Sequence, residues 1–183
     1  PTYPELFENN RRWVAAELDA DPAHFERLAE GQAPTYLFIG CSDSRVNANE
    51  MVGTETGHMF IHRNIANLVP PYTPDGAQHG TSAAVEYAVT SLKVAHIIVL
   101  GHSNCGGVRG CLQMCAGEAP EFEQKESFIG RWLDVLRPGV ARIMDITDPV
   151  DRQTALEKEG IQISLENLLG YPFVAEAVDQ GHR

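Results

Sequence analysis

Apolar residues fall in two kinds of pattern along the chain. Tyr36-Leu37-Phe38-Ile39 is a continuous apolar run that closes on Gly40-Cys41 and gives way to polar Ser42-Asp43-Ser44-Arg45. That pattern predicts a buried strand feeding a loop. His58–His62 predicts a second strand, ending at Arg63-Asn64, and His96–Leu100 a third, ending at Gly101-His102. Between them the spacing turns helical. Phe7, Trp13, Val14 and Leu18 mark a helix over Pro4–Leu28, broken near Asp21-Pro22. Gly80–Leu92 predicts another, with Thr81 or Ser82 as N-cap. Further helices are predicted from Gly106 to Met114, from Phe128 to Met144, and twice between Pro149 and Val178.

Buried strands alternating with helices predict the α/β class: a mostly parallel sheet covered by helices on both faces, behind an N-terminal helical arm. The reading is one domain over 1–183, with an arm at 1–30 and an α/β core at 35–183. In such sheets ligands gather at the carboxyl ends of strands. Cys41 and His102 both fall there, although far apart in sequence.

Composition narrows the function classes. The 183 residues are 43% hydrophobic and 21% charged, as in a globular protein. A formal net charge of −11 disfavours nucleic acid, whose phosphates need clustered Lys and Arg. No apolar run nears the ~20 residues that span a bilayer, so no membrane partner is expected. The four cysteines, Cys41, Cys105, Cys111 and Cys115, come with histidines and without a recognisable signal peptide. Metal binding is therefore a better reading than a disulfide framework, and the expected location is cytoplasmic. Because the first residue is Pro1, that location carries the proviso of a trimmed targeting segment.

Zinc prefers thiolate and imidazole donors, and catalytic zinc keeps one position open. His102-Ser103-Asn104-Cys105 offers both donor types three residues apart on a loop entering a helix, and Gly106-Gly107 lets the backbone approach. Cys105 precedes that helix, whose positive end favours a thiolate. Cys41 is the third candidate ligand. On an extended loop Asp43 and Arg45 share a side and can form a charge-assisted pair. That pair would keep Asp43 ionised and off the metal.

At these residues the chain resembles the β-class carbonic anhydrases. The resemblance runs from about Phe7 to Gly181 and rests on Cys41-Ser42-Asp43-Ser44-Arg45-Val46, His62-Arg63-Asn64-Ile65-Ala66-Asn67, Ala84-Val85-Glu86-Tyr87-Ala88-Val89 and Gly101-His102-Ser103-Asn104-Cys105-Gly106-Gly107. It implies one Zn2+ per chain on Cys41, His102 and Cys105, with Asp43 and Arg45 as the catalytic dyad. The reaction implied is reversible hydration of carbon dioxide to bicarbonate and a proton, by attack of zinc-bound hydroxide. Gln32, Phe60, Ile65, Tyr87 and Gly106 fall at substrate-binding positions. Gln32, Phe60, Ile65 and Tyr87 match the plant-like, open-site subtype. Phe38 stands where the closing subtype has a Trp, although that subtype's Arg is present as Arg63. A proton-shuttle His of some plant enzymes is Ser91 here. The resemblance also implies a homodimer or a dimer of dimers, with the first helix wrapping its neighbour and both chains contributing to each site. The family continues past the position of Arg183, so the core is expected to lack its last strand.

Two other functions stay open on sequence. One is hydrolysis of carbon disulfide or carbonyl sulfide on the same scaffold. The other is a structural zinc module closed by Asp43 as fourth ligand. A cysteine phosphatase is excluded, because Cys41–Arg45 and Cys105–Arg109 are each too closely spaced for that loop. Cys111 and Cys115 are expected to be small core residues, His58 and His62 satisfied strand histidines, and Glu118–Glu126 a solvated surface.

Overall fold

The computed structural model describes residues 1–181. They divide into two compact units, Pro1–Ala33 and the remainder from Pro34. In the first unit, α1 (Tyr3–Ala20) is followed by α2 (His24–Ala29). The break falls where the sequence predicts it. Asp21 is extended (φ −153°, ψ 99°) because the following proline disfavours a helical residue before it. Trp13 packs edge-on against Phe25, with ring centroids 5.7 Å apart.

The second unit runs β1 (Tyr36–Cys41), α3 (Ala48–Val52), β2 (Met59–Asn64), α4 (Gly80–Glu86), β3 (His96–Leu100), α5 (Gly106–Cys115), α6 (Phe128–Leu133), α7 (Arg137–Arg142), α8 (Pro149–Leu169) and α9 (Pro172–Asp179). The sheet is parallel with strand order β2-β1-β3. β1 lies in the centre, which explains its unbroken apolar run. Register sets Cys41 opposite Asn64 and Gly40 opposite Leu100, so the ends of all three strands share one edge.

One face of the sheet, with Leu37 and Ile39, packs against Val85 and Ala88 and against Leu168, Tyr171 and Val174. The other face gathers Phe38, Met59 and Ala48, with Ile98 and Leu100 half-buried beside them. Ile61 on this second face stays exposed. The sheet is parallel and flanked by helices, as the alternation of strands and helices predicts, and Ile61 is on its edge strand β2. A third cluster lies under the strand ends, where Cys41, Ala66 and Cys105 meet Val108, Cys111, Leu133, Leu136 and Leu156.

Several boundaries differ from the sequence reading. β2 begins after His58 and runs through Asn64. The helix from Gly80 widens into a π-type turn over Tyr87–Ser91. Neither Thr81 nor Ser82 is its N-cap, which is His79. Both hydroxyls have tertiary partners instead: Thr81 Oγ1 lies 2.9 Å from His62 Nε2, and Ser82 Oγ lies 2.7 Å from the Tyr171 hydroxyl. The 128–144 stretch splits at a tight turn over Asp134–Leu136, after which Pro138 takes the second position of α7, where its missing N–H is harmless. α3 has no signal in the sequence reading. Cys111 is a buried core residue, as expected, and Cys115 is half-buried. The acidic stretch is solvated except at Ala119, which is buried, and Phe122, which packs on the core.

Candidate metal centre

β1 delivers Cys41 to the carboxyl edge of the sheet, and the turn after β3 brings His102 and Cys105 to the same place. Their donor atoms, two sulfurs and one imidazole nitrogen, lie within 4.8 Å of one another. The sulfurs are 4.0 Å apart. A tetrahedral ion with Zn–S bonds near 2.3 Å requires roughly 3.8 Å between two sulfurs, so the spacing fits zinc. His102 Nδ1 lies 3.0 Å from the Ser103 carbonyl, which can only accept, so Nδ1 carries the proton and Nε2 keeps its lone pair. Nε2 is buried and has no hydrogen-bond partner among the described residues. An orphaned imidazole lone pair facing two thiols is a site that a soft cation satisfies.

The two sulfurs differ in surroundings. Cys41 Sγ accepts the backbone N–H groups of Asp43 (3.4 Å) and Ala66 (3.3 Å). The neighbouring Cys105 thiol pulls the Cys41 pKa down to about 4, helped by these amides against burial. Cys105 is pushed far up, first by that same contact and then by burial. The pair gives up one proton readily and holds the other until a cation offsets the second charge. Ala66 reaches Cys41 by adopting a left-handed backbone (φ 62°), unusual for a residue with a Cβ. Trp132 Nε1 donates to the Ile65 carbonyl (2.8 Å) and anchors that turn from α6.

Asp43 and Arg45 pair as the loop spacing predicts. Arg45 Nε and Nη2 reach Asp43 Oδ1 (2.9 Å) and Oδ2 (2.7 Å), and the Arg45 backbone N–H adds a third bond at 3.0 Å. The guanidinium holds the Asp43 carboxyl far below the usual carboxylate range. Asp43 Oδ2 lies 3.9 Å from His102 Nε2, beside the donor group but outside it. Arg63 on β2 fastens the loop by donating to the carbonyls of Cys41 (2.8 Å) and Asp43 (2.7 Å).

A family model described as carbonic anhydrase matches residues 36–183. Beta carbonic anhydrase 3 of Arabidopsis thaliana is 42% identical over 164 residues, covering 87% of this chain and 62% of that protein. The chain belongs to the β-class carbonic anhydrase family. A carbonic anhydrase of Emericella nidulans is 52% identical over 111 residues, 61% of this chain and 46% of that one. The chain therefore spans about half to three-fifths of the length of these curated relatives. Crystal structures of two tetrameric β-carbonic anhydrases from Sordaria macrospora include a chain that matches this one with a TM-score of 0.84 at 32% identity, covering 98% of this chain and 87% of that one.

Of the substrate positions expected from the resemblance, Ile65 lies at the metal centre, in the turn that carries the Ala66 amide. Phe60 and Tyr87 do not. They pack against each other with ring centroids 5.7 Å apart. Phe60 sits opposite Leu37, four residues before the end of β2. That separates it from the carboxyl edge by roughly 13 Å of strand. Gln32 belongs to the first unit and is exposed. The close backbone approach expected of the glycine pair belongs to Gly107 alone. A Cβ there would meet Ile65 Cγ2 at 2.6 Å and Ala66 Cβ at 3.0 Å, whereas one at Gly106 meets nothing within 4 Å. Sequence reasoning passed over Trp132 and Glu157. Both reach the site from helices distant in sequence, and no local spacing marks them.

Proposed function

We propose that this chain catalyses the zinc-dependent, reversible hydration of carbon dioxide to bicarbonate and a proton. The observation that carries the reading is the three-donor group with the Asp43 carboxylate at its open side, locked by Arg45. When bound, zinc supplies a Lewis acid that makes water a nucleophile near neutral pH. Asp43, held ionised, is then an acceptor only, so a water at the open side donates to it and turns a lone pair toward the substrate. Arg45 spends its fork on Asp43 and thereby keeps the carboxylate from completing the metal's coordination, which favours the open-site subtype. Carbon dioxide is apolar, and the Ile65 side chain suits it. The backbone N–H of Gly106, at the start of α5, offers an amide to the oxygen that gains charge.

Phe60, Tyr87 and Gln32 enter the reading through a second copy of the chain. Phe60 and Tyr87 form one apolar pair far from their own metal donors, and Tyr87 is 47% exposed. An oligomer whose partner presents that pair and Gln32 would close the pocket over carbon dioxide. Exposed Phe7, Trp13 and Leu18 on α1 favour the same assembly, a homodimer or a dimer of dimers. Four free cysteines, two of them metal donors, suit a reducing compartment, and we place the chain in the cytoplasm.

The test is Asp43→Asn, followed by stopped-flow hydration and metal analysis. The variant is expected to keep one zinc per chain while hydration falls by about 100-fold or more, the scale of a lost proton-handling group. Wild-type rates in a zinc-loaded variant would remove Asp43 from the mechanism. A zinc-loaded wild type that leaves carbon dioxide unchanged would end the proposal.

A further inference from the structure

We propose that Glu157 is a positioning residue for the metal centre, gripping the Asn104–Cys105 peptide against Arg45 and so aiming the Cys105 sulfur. The two ends of this one peptide are held by opposite charges. Arg45 Nη2 donates to the Asn104 carbonyl at 3.0 Å, and the Cys105 N–H donates to Glu157 Oε1 at 2.9 Å. The peptide needs holding, because Asn104 has a left-handed backbone (φ 53°). Cys105 is the N-cap residue of α5, and its sulfur faces both Cys41 and the first amides of that helix, those of Gly107 and Val108. A helix start is commonly braced by a Glu at its third position reaching back to the N-cap N–H. That position here is Val108, a core residue. Glu157 supplies the missing acceptor from α8, and its negative charge suits the positive end of α5.

Glu157 is itself fixed. Gln153, one turn earlier on α8, donates Nε2 to the same Oε1 at 3.1 Å, and Arg109 of α5 donates to Gln153 Oε1 at 3.3 Å. The chain of contacts thus leaves α5, crosses α8 and returns to the first residue before α5. Arg45 joins it to Asp43, so the Asp43 carboxylate and the Cys105 sulfur that would hold the metal are oriented through one peptide plane. A partner that orients a metal ligand in this way typically changes metal affinity by 10–100-fold when removed.

The inference rests on the metal-binding part of the proposed function and not on carbon dioxide hydration. Its test uses the full chain with Glu157→Ala, Glu157→Gln and Glu157→Asp. Zinc transfer to a chromogenic chelator and the thiolate-to-cobalt charge-transfer band of the cobalt-substituted protein are both recorded. E157A is expected to release zinc about 10–100-fold more readily and to shift the cobalt band. E157Q keeps an acceptor oxygen and should restore both. A purely structural role would lower the melting temperature and leave the band in place. Wild-type zinc retention and an unmoved band in E157A would overturn the assignment, as would equal losses in E157A and E157Q. Should E157A fail to fold, E157D, whose carboxylate is one methylene short, carries the comparison: partial loss supports the role and wild-type behaviour overturns it. Hydration by the wild type is measured alongside, so an inactive but zinc-retaining wild type would sink the proposed function and leave these readouts standing.

Discussion

At the scale of single residues, the centre is made of three soft donors turned toward one another. His102 Nε2 is buried with no hydrogen-bond partner among the described residues, and Cys41 and Cys105 are buried thiols 4.0 Å apart. The surrounding backbone is shaped to them at some conformational cost. Ala66 occupies left-handed space so that its N–H can reach Cys41 Sγ, and Gly107 must be bare because Ile65 and Ala66 press against it. A matched pair of substitutions separates the two adjacent glycines. Gly107→Ala is expected to lower stability by about 1–3 kcal/mol through overpacking. Gly106→Ala should stay within about 0.5 kcal/mol of wild type, having open space around it. Denaturant unfolding reads both. The ligands and the Asp43–Arg45 pair were legible in the sequence because Cys, His and a paired Asp and Arg at strand ends have few alternative uses. Glu157 was not, since a glutamate on an amphipathic helix looks like surface until the fold brings α8 against Cys105.

Elements impose the geometry that those residues express. β1 lies between two parallel neighbours, so its last residue and the turn after β3 open onto the same edge. The exit from β2 is held from outside, by the Trp132 indole on the Ile65 carbonyl. Trp132→Phe removes that bond while keeping an aromatic ring. It should cost about 1 kcal/mol, read by chemical unfolding, and loosen zinc retention because the Ala66 amide serves Cys41 from the same turn. The strands were legible because each is a compact apolar run bounded by polar or glycine positions. The helix breaks were less so. Phe128–Met144 keeps a helical apolar spacing through a turn, because a tight turn over Asp134–Leu136 still points Leu133 and Leu136 into the core. Thr81 and Ser82 have the chemistry of N-caps, yet His62 and Tyr171 claim their hydroxyls, and propensity yields to those tertiary partners.

For the whole molecule, the sheet separates two features that the reaction would use together. The metal donors lie at its carboxyl edge, while Phe60 and Tyr87 lie toward the opposite end. The resemblance names both sets and implies that two chains contribute to each site, whereas the motifs by themselves carry no information about which copy supplies a residue. If a second copy supplies the aromatic pair, subunits carrying Asp43→Asn and subunits carrying Tyr87→Ala should complement each other. Mixed oligomers would contain a site with both residues intact, and hydration should rise above that of either parent. No gain in verified mixed oligomers would assign each site to a single chain. Beneath this lies the claim that two thiolates and one imidazole hold a zinc with a solvent-accessible position. Stopped-flow hydration of carbon dioxide at pH 7 and pH 8.5, before chelation, after it and after zinc is returned, tests that claim most directly. The account predicts catalysis that is faster at pH 8.5, since two thiolate donors keep the metal's water less acidic than an all-imidazole set would, and that is lost with the metal and restored by zinc. Hydration that ignores the chelator, or its absence from protein carrying one zinc per chain, would contradict it.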